Sequence, residues 1–335
     1  MKIAVIGAGG WGTALAKLLA EKEGNAVTIW AHEPEVAEAI RTRRENPIYL
    51  QGVRLPQSLQ ATTEMDDAVP GRELALLVAP SHFMRAVLHQ AALHFSPSTL
   101  VASAAKGIED KTLLTMSGVM AEVLPPEIAG RMVAVSGPSF AREVAQAMPT
   151  VVSAASRDLK AAEAVQLALA TDYFRVYTTN DVIGVELGGA VKNVIAIAAG
   201  ISDGMGFGTN TRAALITRGL AEIARLGVKM GANPMTFAGP AGLGDLVLTC
   251  TGDLSRNRQV GLAIGRGKKL KEILAEMKMV AEGVKNAETV FKLSQKMEVE
   301  MPITEQVYLM LYADKSPALA LATLMGRKLK SEVEG

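Results

Sequence analysis

Cysteine is almost missing: Cys250 is the only one in 335 residues. A single thiol excludes an intramolecular disulfide, argues against a Cys-based metal site, and fits a reducing, cytoplasmic compartment. An excess of charge of one sign is missing too. The chain carries 35 basic and 34 acidic side chains, a formal net charge of +1. Nothing therefore draws it to a long anionic surface such as nucleic acid or acidic membrane, and any anion must be held by a local site. No window reaches ~18 uninterrupted apolar residues, the minimum for a membrane span. Met1-Lys2-Ile3-Ala4-Val5-Ile6-Gly7 reads as a buried strand and not as a signal peptide. The four histidines, His32, His82, His89 and His94, show no metal-ligand spacing, and no metal is expected.

The length suggests two domains. Short apolar strands alternate with helical stretches through the first half, the rhythm of a parallel sheet covered on both faces. Strands are placed near 2–6, 26–31, 74–79, 99–104, 132–136, 150–155 and 173–177. Beyond Thr179 the pattern is helical, opening with a long, almost uncharged helix from Asp181 to about Ala199. The expected fold is α/β. A Rossmann-type, doubly wound, mostly parallel sheet over residues 1–180 precedes an all-helical domain over 181–335. The Gly-rich stretch 200–208 reads as a loop, and 331–335 as a frayed tail.

Gly7-Ala8-Gly9-Gly10-Trp11-Gly12 is a G-x-G-x-x-G between the first strand and the first helix. In that context the pattern predicts a dinucleotide site. Gly7 makes the turn, Gly9 lets a diphosphate approach the backbone, and Gly12 lets helix and strand pack. An acidic residue after the second strand favours NAD, whereas a cation accommodates the 2′-phosphate of NADP. Here Ala31 and His32 stand in that place, with Glu33 just beyond. The expected cofactor is therefore NADP, or both NADP and NAD.

Lys192 lies in a helix otherwise almost entirely apolar or small, one turn after Gly188 and Gly189. Helical side chains lean toward the N-terminus, so the paired glycines suggest an open notch in which a ligand meets the ammonium. A desolvated lysine has a depressed pKa and can exchange a proton near neutral pH. Lys106 follows a strand at the end where open α/β sheets bind ligands. Ser136-Gly137-Pro138-Ser139-Phe140-Ala141 repeats a strand, a turn and a helix N-terminus. Ser255 is a plausible N-cap, and Arg256 adds a planar fork suited to phosphate. Asp245, behind a Gly-rich turn, could orient a lysine, orient a substrate hydroxyl, or merely cap the next turn. Cys250 reads as a small buried hydrophobe.

Taken together, these residues resemble bacterial NAD(P)-dependent glycerol-3-phosphate dehydrogenase over essentially the whole chain. The blocks are GAGGWGTALA from Gly7, KGIE from Lys106, SGPSFA from Ser136, ELGGAVKNVIAIAAGISDG from Glu186, AGLGDLVLTCTGDLSRNRQVG from Ala241 and VAEGV from Val280. The resemblance implies that Lys192 is the proton acceptor. It implies that Lys106, Gly137, Ser139, Asp245, Ser255, Arg256 and Asn257 bind substrate. It implies that Gly10, Trp11, His32, Lys106, Ala141, Arg256, Val280 and Glu282 bind cofactor. Gly10 replaces a serine that many members carry. The implied reaction is reduction of dihydroxyacetone phosphate to sn-glycerol 3-phosphate for glycerophospholipid synthesis, with small-molecule partners and a homodimer as an admissible assembly. Two rivals stand beside it. A hydroxyacid or nucleotide-sugar dehydrogenase is one, the latter needing Cys250 as nucleophile. A sensor of NAD(P)H is the other, with little use for Lys106 and Lys192 together.

Overall fold

The strands form because their residues are apolar on both faces, and both faces are covered. Ile3, Ala4, Val5 and Ile6 of the first strand and Leu74–Leu77 of the fourth are fully buried. The computed structural model describes residues 1–277, 281–329 and 331. Its single sheet contains β1 (Lys2–Ile6), β2 (Ala26–Trp30), β3 (Gln60–Thr62), β4 (Leu74–Leu77), β5 (Leu100–Ser103), β6 (Val133–Ser136), β7 (Thr150–Ala155) and β8 (Phe174–Thr179). Their order is β3-β2-β1-β4-β5-β6-β7-β8. Every neighbouring pair is parallel except β6 and β7. The order reverses at β1, which pairs with β2 on one side and β4 on the other. The carboxyl end of β1 is thus the crevice where open α/β sheets take ligands. Helix α1 (Gly10–Glu21) leaves from there.

The sequence reading placed seven of these strands and missed β3. Its three residues, Gln60-Ala61-Thr62, are too few to show a pattern, and they pair only along the edge of β2. The helix expected after Ser139 is a single turn, Ala141–Ala145.

Beyond β8 the chain is helical. Asp181 caps α2 (Val182–Gly204) by accepting from Gly184 N. Its 23 residues have the length and apolar composition of a membrane span, but 94% of its most apolar window is buried inside the protein. It is a core helix, around which pack α3 (Thr209–Lys229), α4 (Asp245–Thr251), α5 (Arg256–Gly265) and α6 (Glu282–Lys296). Buried Glu186 ties α2 back to the sheet half, accepting from Ser117 N at 2.7 Å and Ser117 Oγ at 2.5 Å.

The expected loop at 200–208 is corrected by this helix, which continues to Gly204. Glycine disfavours a helix in isolation, yet here tertiary packing requires it. A Cβ on Gly200 would lie 2.0 Å from the Arg258 carbonyl, and one on Gly204 2.4 Å from the Leu262 carbonyl. In return, Gly261 and Gly265 of α5 face the Ile197 and Ile201 carbonyls at 2.1 and 2.3 Å. Two pairs of glycines, each four residues apart, let the two backbones touch. Gly261→Ala should force them apart and cost ~1–3 kcal/mol, the usual cost of overpacking. A lowered urea midpoint with unchanged slope is the expected result. Gly208→Ala, with no atom within 4 Å of the added carbon, should cost less.

Candidate active site

The loop after β1 needs its glycines for three separate reasons. Gly7 has φ +118, a backbone that side chains disfavour, and a Cβ there would approach Ala79 N at 2.9 Å. A Cβ on Gly12 would lie 1.9 Å from the Gly7 carbonyl, so only glycine lets α1 sit on β1. Gly9 faces open space, with nothing within 4 Å of its Cβ position. No side chain caps α1, so its first N–H groups are left for a ligand. Buried Trp11 Nε1 has no hydrogen-bond partner among the described residues. This cradle fits the diphosphate of a dinucleotide. Ala141 borders it, 3.7 Å from the Cβ position of Gly10. His32 stands exposed beyond β2, its ring 6.1 Å from that of Trp30. Val280 lies outside the described residues.

At the same end of the sheet, three segments converge on one carboxylate. Lys106, just after β5, donates from Nζ to Asp245 Oδ2 at 2.7 Å, Gly137 O at 2.8 Å and Ser139 Oγ at 3.2 Å. Gly137 can present that carbonyl because its φ is +153, and a Cβ would strike Val152 Cα at 2.8 Å. Lys192, on α2, donates to the other oxygen, Asp245 Oδ1, and to Thr249 Oγ1 at 3.0 Å. Asp245 is fully buried and Lys192 is 6% exposed. Burial lowers the Lys192 pKa to about 8; Asp245 pulls it up and Lys106 pushes it down. The aspartate thus accepts from both lysines, the contact that orienting a lysine would require.

The notch expected beside Lys192 is not open. A Cβ on Gly188 would meet the Ala241 carbonyl at 2.2 Å, and one on Gly189 would meet Ser136 Oγ at 2.5 Å. The glycines admit other parts of the protein, which is how the turn at Pro240–Gly244 delivers Asp245 to the lysine. Thr249 was missed by sequence reasoning. Its position four residues after Asp245, on the same face of α4, is the signal that could have found it.

A second group lies at the start of α5. Ser255 caps the helix, its Oγ accepting from Arg258 N at 3.2 Å. Asn257 donates to Asn193 Oδ1 and accepts from Gly283 N, both at 2.9 Å. It thereby links the neighbour of Lys192 to the neighbour of Glu282. Of the two arginines here, Arg258 is spent on Asp203 and Asp253. Arg256 is exposed, and its side chain makes no hydrogen bond or ion pair to any described residue. Burial raises the Glu282 pKa against the fields of Arg256, Lys192 and Lys106. Three cationic side chains around two carboxylates leave an excess of positive charge, suited to an anionic ligand. Cys250 is buried and its thiol is pushed up to about 12 by burial. A thiolate nucleophile is thus unavailable, which weighs against the nucleotide-sugar alternative.

A cradle suited to a diphosphate thus lies at the same end of the sheet as a buried lysine with a lowered pKa and an exposed arginine, a set that suits a dinucleotide and an anionic second ligand. The comparisons agree. A family model described as NAD-dependent glycerol-3-phosphate dehydrogenase N-terminus matches residues 2–162, and its C-terminus counterpart matches residues 181–322. The chain is 59% identical over 331 residues to the protein of Geobacter metallireducens named glycerol-3-phosphate dehydrogenase (NAD(P)+), covering 99% of this chain and 98% of that one. It is 55% identical over 332 residues to the protein of that name from Syntrophobacter fumaroxidans, covering 99% and 97%. The crystal structure of glycerol-3-phosphate dehydrogenase from Coxiella burnetii superposes with a TM-score of 0.92 at 40% identity, covering 97% of this chain and 99% of that one. With its sequence matched end to end and its sheet, cradle and lysine pair in place, this chain belongs to the NAD(P)-dependent glycerol-3-phosphate dehydrogenase family.

Proposed function

We propose that this chain interconverts dihydroxyacetone phosphate and sn-glycerol 3-phosphate with NAD(P)H or NAD(P)+, in the cytoplasm, for glycerophospholipid synthesis. Residues 1–180 hold the cofactor, residues 181–335 complete the substrate site, and a homodimer is the assembly. The observation that carries the reading is the shared carboxylate: Asp245 accepts from both Lys106 and Lys192. When bound, the nicotinamide supplies or takes up the hydride.

Reduction turns the ketone oxygen into an alkoxide, which takes a proton from the Lys192 ammonium. Oxidation runs the other way, with the neutral amine removing the hydroxyl proton. A pKa of about 8 leaves both forms accessible near neutrality. Asp245 keeps Lys192 aimed, and Lys106 balances the carboxylate charge when Lys192 is neutral. Ser139 and the Gly137 carbonyl hold Lys106 in turn. At the far end of the substrate, Arg256, with Ser255 and the first turn of α5, takes the phosphate, and Asn257 fixes that turn to α2. Gly7, Gly9, Gly10, Trp11, Gly12, His32, Ala141 and Glu282 line the cofactor side, Glu282 and Arg256 where the two sites meet.

Consumption of NAD(P)H on addition of dihydroxyacetone phosphate tests the reading directly; no absorbance change with either cofactor would sink it. Lys192→Met should lower kcat at least ~10²-fold, the bottom of the range for positioned proton transfer, with NADPH binding by fluorescence nearly unchanged. Parallel loss of binding and rate would make the lysine structural. Arg256→Ala removes charge-assisted bonds worth ~1.5–3 kcal/mol each, so KM for dihydroxyacetone phosphate should rise ~10–100-fold.

The pH dependence has a defined sign. Reduction needs the ammonium, so its kcat should fall as pH rises through about 8; oxidation needs the amine and should rise there. Asp245→Asn removes the charge that holds the Lys192 pKa up, so both inflections should move below about 8. Profiles that keep their inflections in that variant would detach Asp245 from the proton chemistry.

A further inference from the structure

Glu33 is the first carboxylate after β2, three residues beyond Trp30. A free carboxylate at this end of β2 accepts the adenosine ribose hydroxyls and repels a 2′-phosphate. This one is not free. Its Oε1 accepts from the Tyr49 hydroxyl at 2.8 Å.

Tyr49 is itself held. Asn46 is fully buried, and its Nδ2 donates to Ala8 O and to Thr13 Oγ1, both at 2.8 Å. Tyr49 N donates back to Asn46 Oδ1 at 3.1 Å, and Leu50 N to Asn46 O at 3.0 Å. The segment 46–50 is therefore bolted onto the glycine loop between β1 and α1. It comes down so closely that a Cβ on Gly10 would lie 2.8 Å from the Tyr49 carbonyl. Glycine at position 10 leaves room for so close an approach. The tyrosine ring is thus fixed to the same loop that forms the diphosphate cradle, and it reaches out to one carboxylate.

We propose that the Tyr49–Glu33 hydrogen bond sets the cofactor choice, by tying back the carboxylate that would otherwise exclude a 2′-phosphorylated ribose. With Glu33 drawn to the 46–50 segment, exposed His32 is the residue presented at the end of β2, and NADPH is accepted. The tether holds throughout the neutral range: burial, then Glu33 itself, raises the Tyr49 pKa to about 12, so the hydroxyl keeps its proton. The inference rests on the dinucleotide site proposed above and adds the device that selects between its two occupants.

The test compares the wild type with Tyr49→Phe, Glu33→Gln and the double variant. Dissociation constants for NADPH and NADH are read from nicotinamide fluorescence on the protein without substrate, alongside kcat/KM for each cofactor. Phenylalanine keeps the ring, which packs against the sheet core, and loses only the donor. Tyr49→Phe should lower the NADPH-to-NADH preference roughly tenfold, the size of one charge-assisted contact. Glu33→Gln, its carboxylate already tied in the wild type, should change the preference less than about threefold on the same scale. The double variant should return the preference to the wild-type value or above. An unchanged preference in Tyr49→Phe, a large rise in Glu33→Gln alone, or a double variant no better than Tyr49→Phe would each overturn the proposal. Lack of dihydroxyacetone phosphate reduction by the wild type would sink the proposed reaction but leave the binding comparison intact.

Discussion

Everything at the centre of this molecule depends on one buried carboxylate. Asp245 is sealed from solvent and shared between two ammonium groups, one from the end of β5 and one from the middle of α2. A single ion pair removed from water commonly fails to recover its desolvation cost. Here the arrangement is a triad with further partners: Lys106 also reaches Gly137 and Ser139, and Lys192 reaches Thr249. The two lysines come from opposite halves of the chain, so the same contact that acts on the Lys192 pKa also joins the sheet half to the helical half.

Getting the carboxylate there is a packing problem, and glycine solves it. Gly188 and Gly189 let the Pro240–Gly244 turn and Ser136 press against α2. Gly242 does the same within that turn, where a Cβ would lie 2.2 Å from the Phe237 carbonyl. A π-helical turn of this kind often marks a functional site, and here it ends directly on Asp245. The resulting burial, not the neighbouring charges, is the largest influence on the Lys192 pKa.

Much of this was legible in the sequence, for local reasons. The glycine fingerprint carries its meaning in adjacent residues, so β1, α1 and the cradle could be placed from it. Buried strands announced themselves by uniform apolarity, and Ser255 by its position before a helical run. What stayed hidden was long-range. Lys106 and Asp245 are 139 positions apart, and no spacing rule pairs them. Arg256 and Arg258 look equivalent on paper; only the fold shows that Asp203 claims the second. Glycines at 188, 189, 200 and 204 were read as empty space or as loop, because a missing side chain gives no hint of what fills its place. The Glu33–Tyr49 contact was invisible for the same reason, since it depends on how a loop lands.

The glycine-to-glycine seam between α2 and α5 has a consequence for what can fit. Lys192 and Asn193 lie on one helix, Arg256 and Asn257 on the other. The seam at 197–204 and 258–265 and the Asn193–Asn257 hydrogen bond hold these two helices in close backbone contact. The pair resembles a caliper whose arms are two helix backbones, one carrying Lys192 and the other Arg256. On the proposed reading, a ligand is measured by the distance between its reducible oxygen and its phosphate. That backbone contact holds the spacing of the two helices whatever rotamers their side chains adopt.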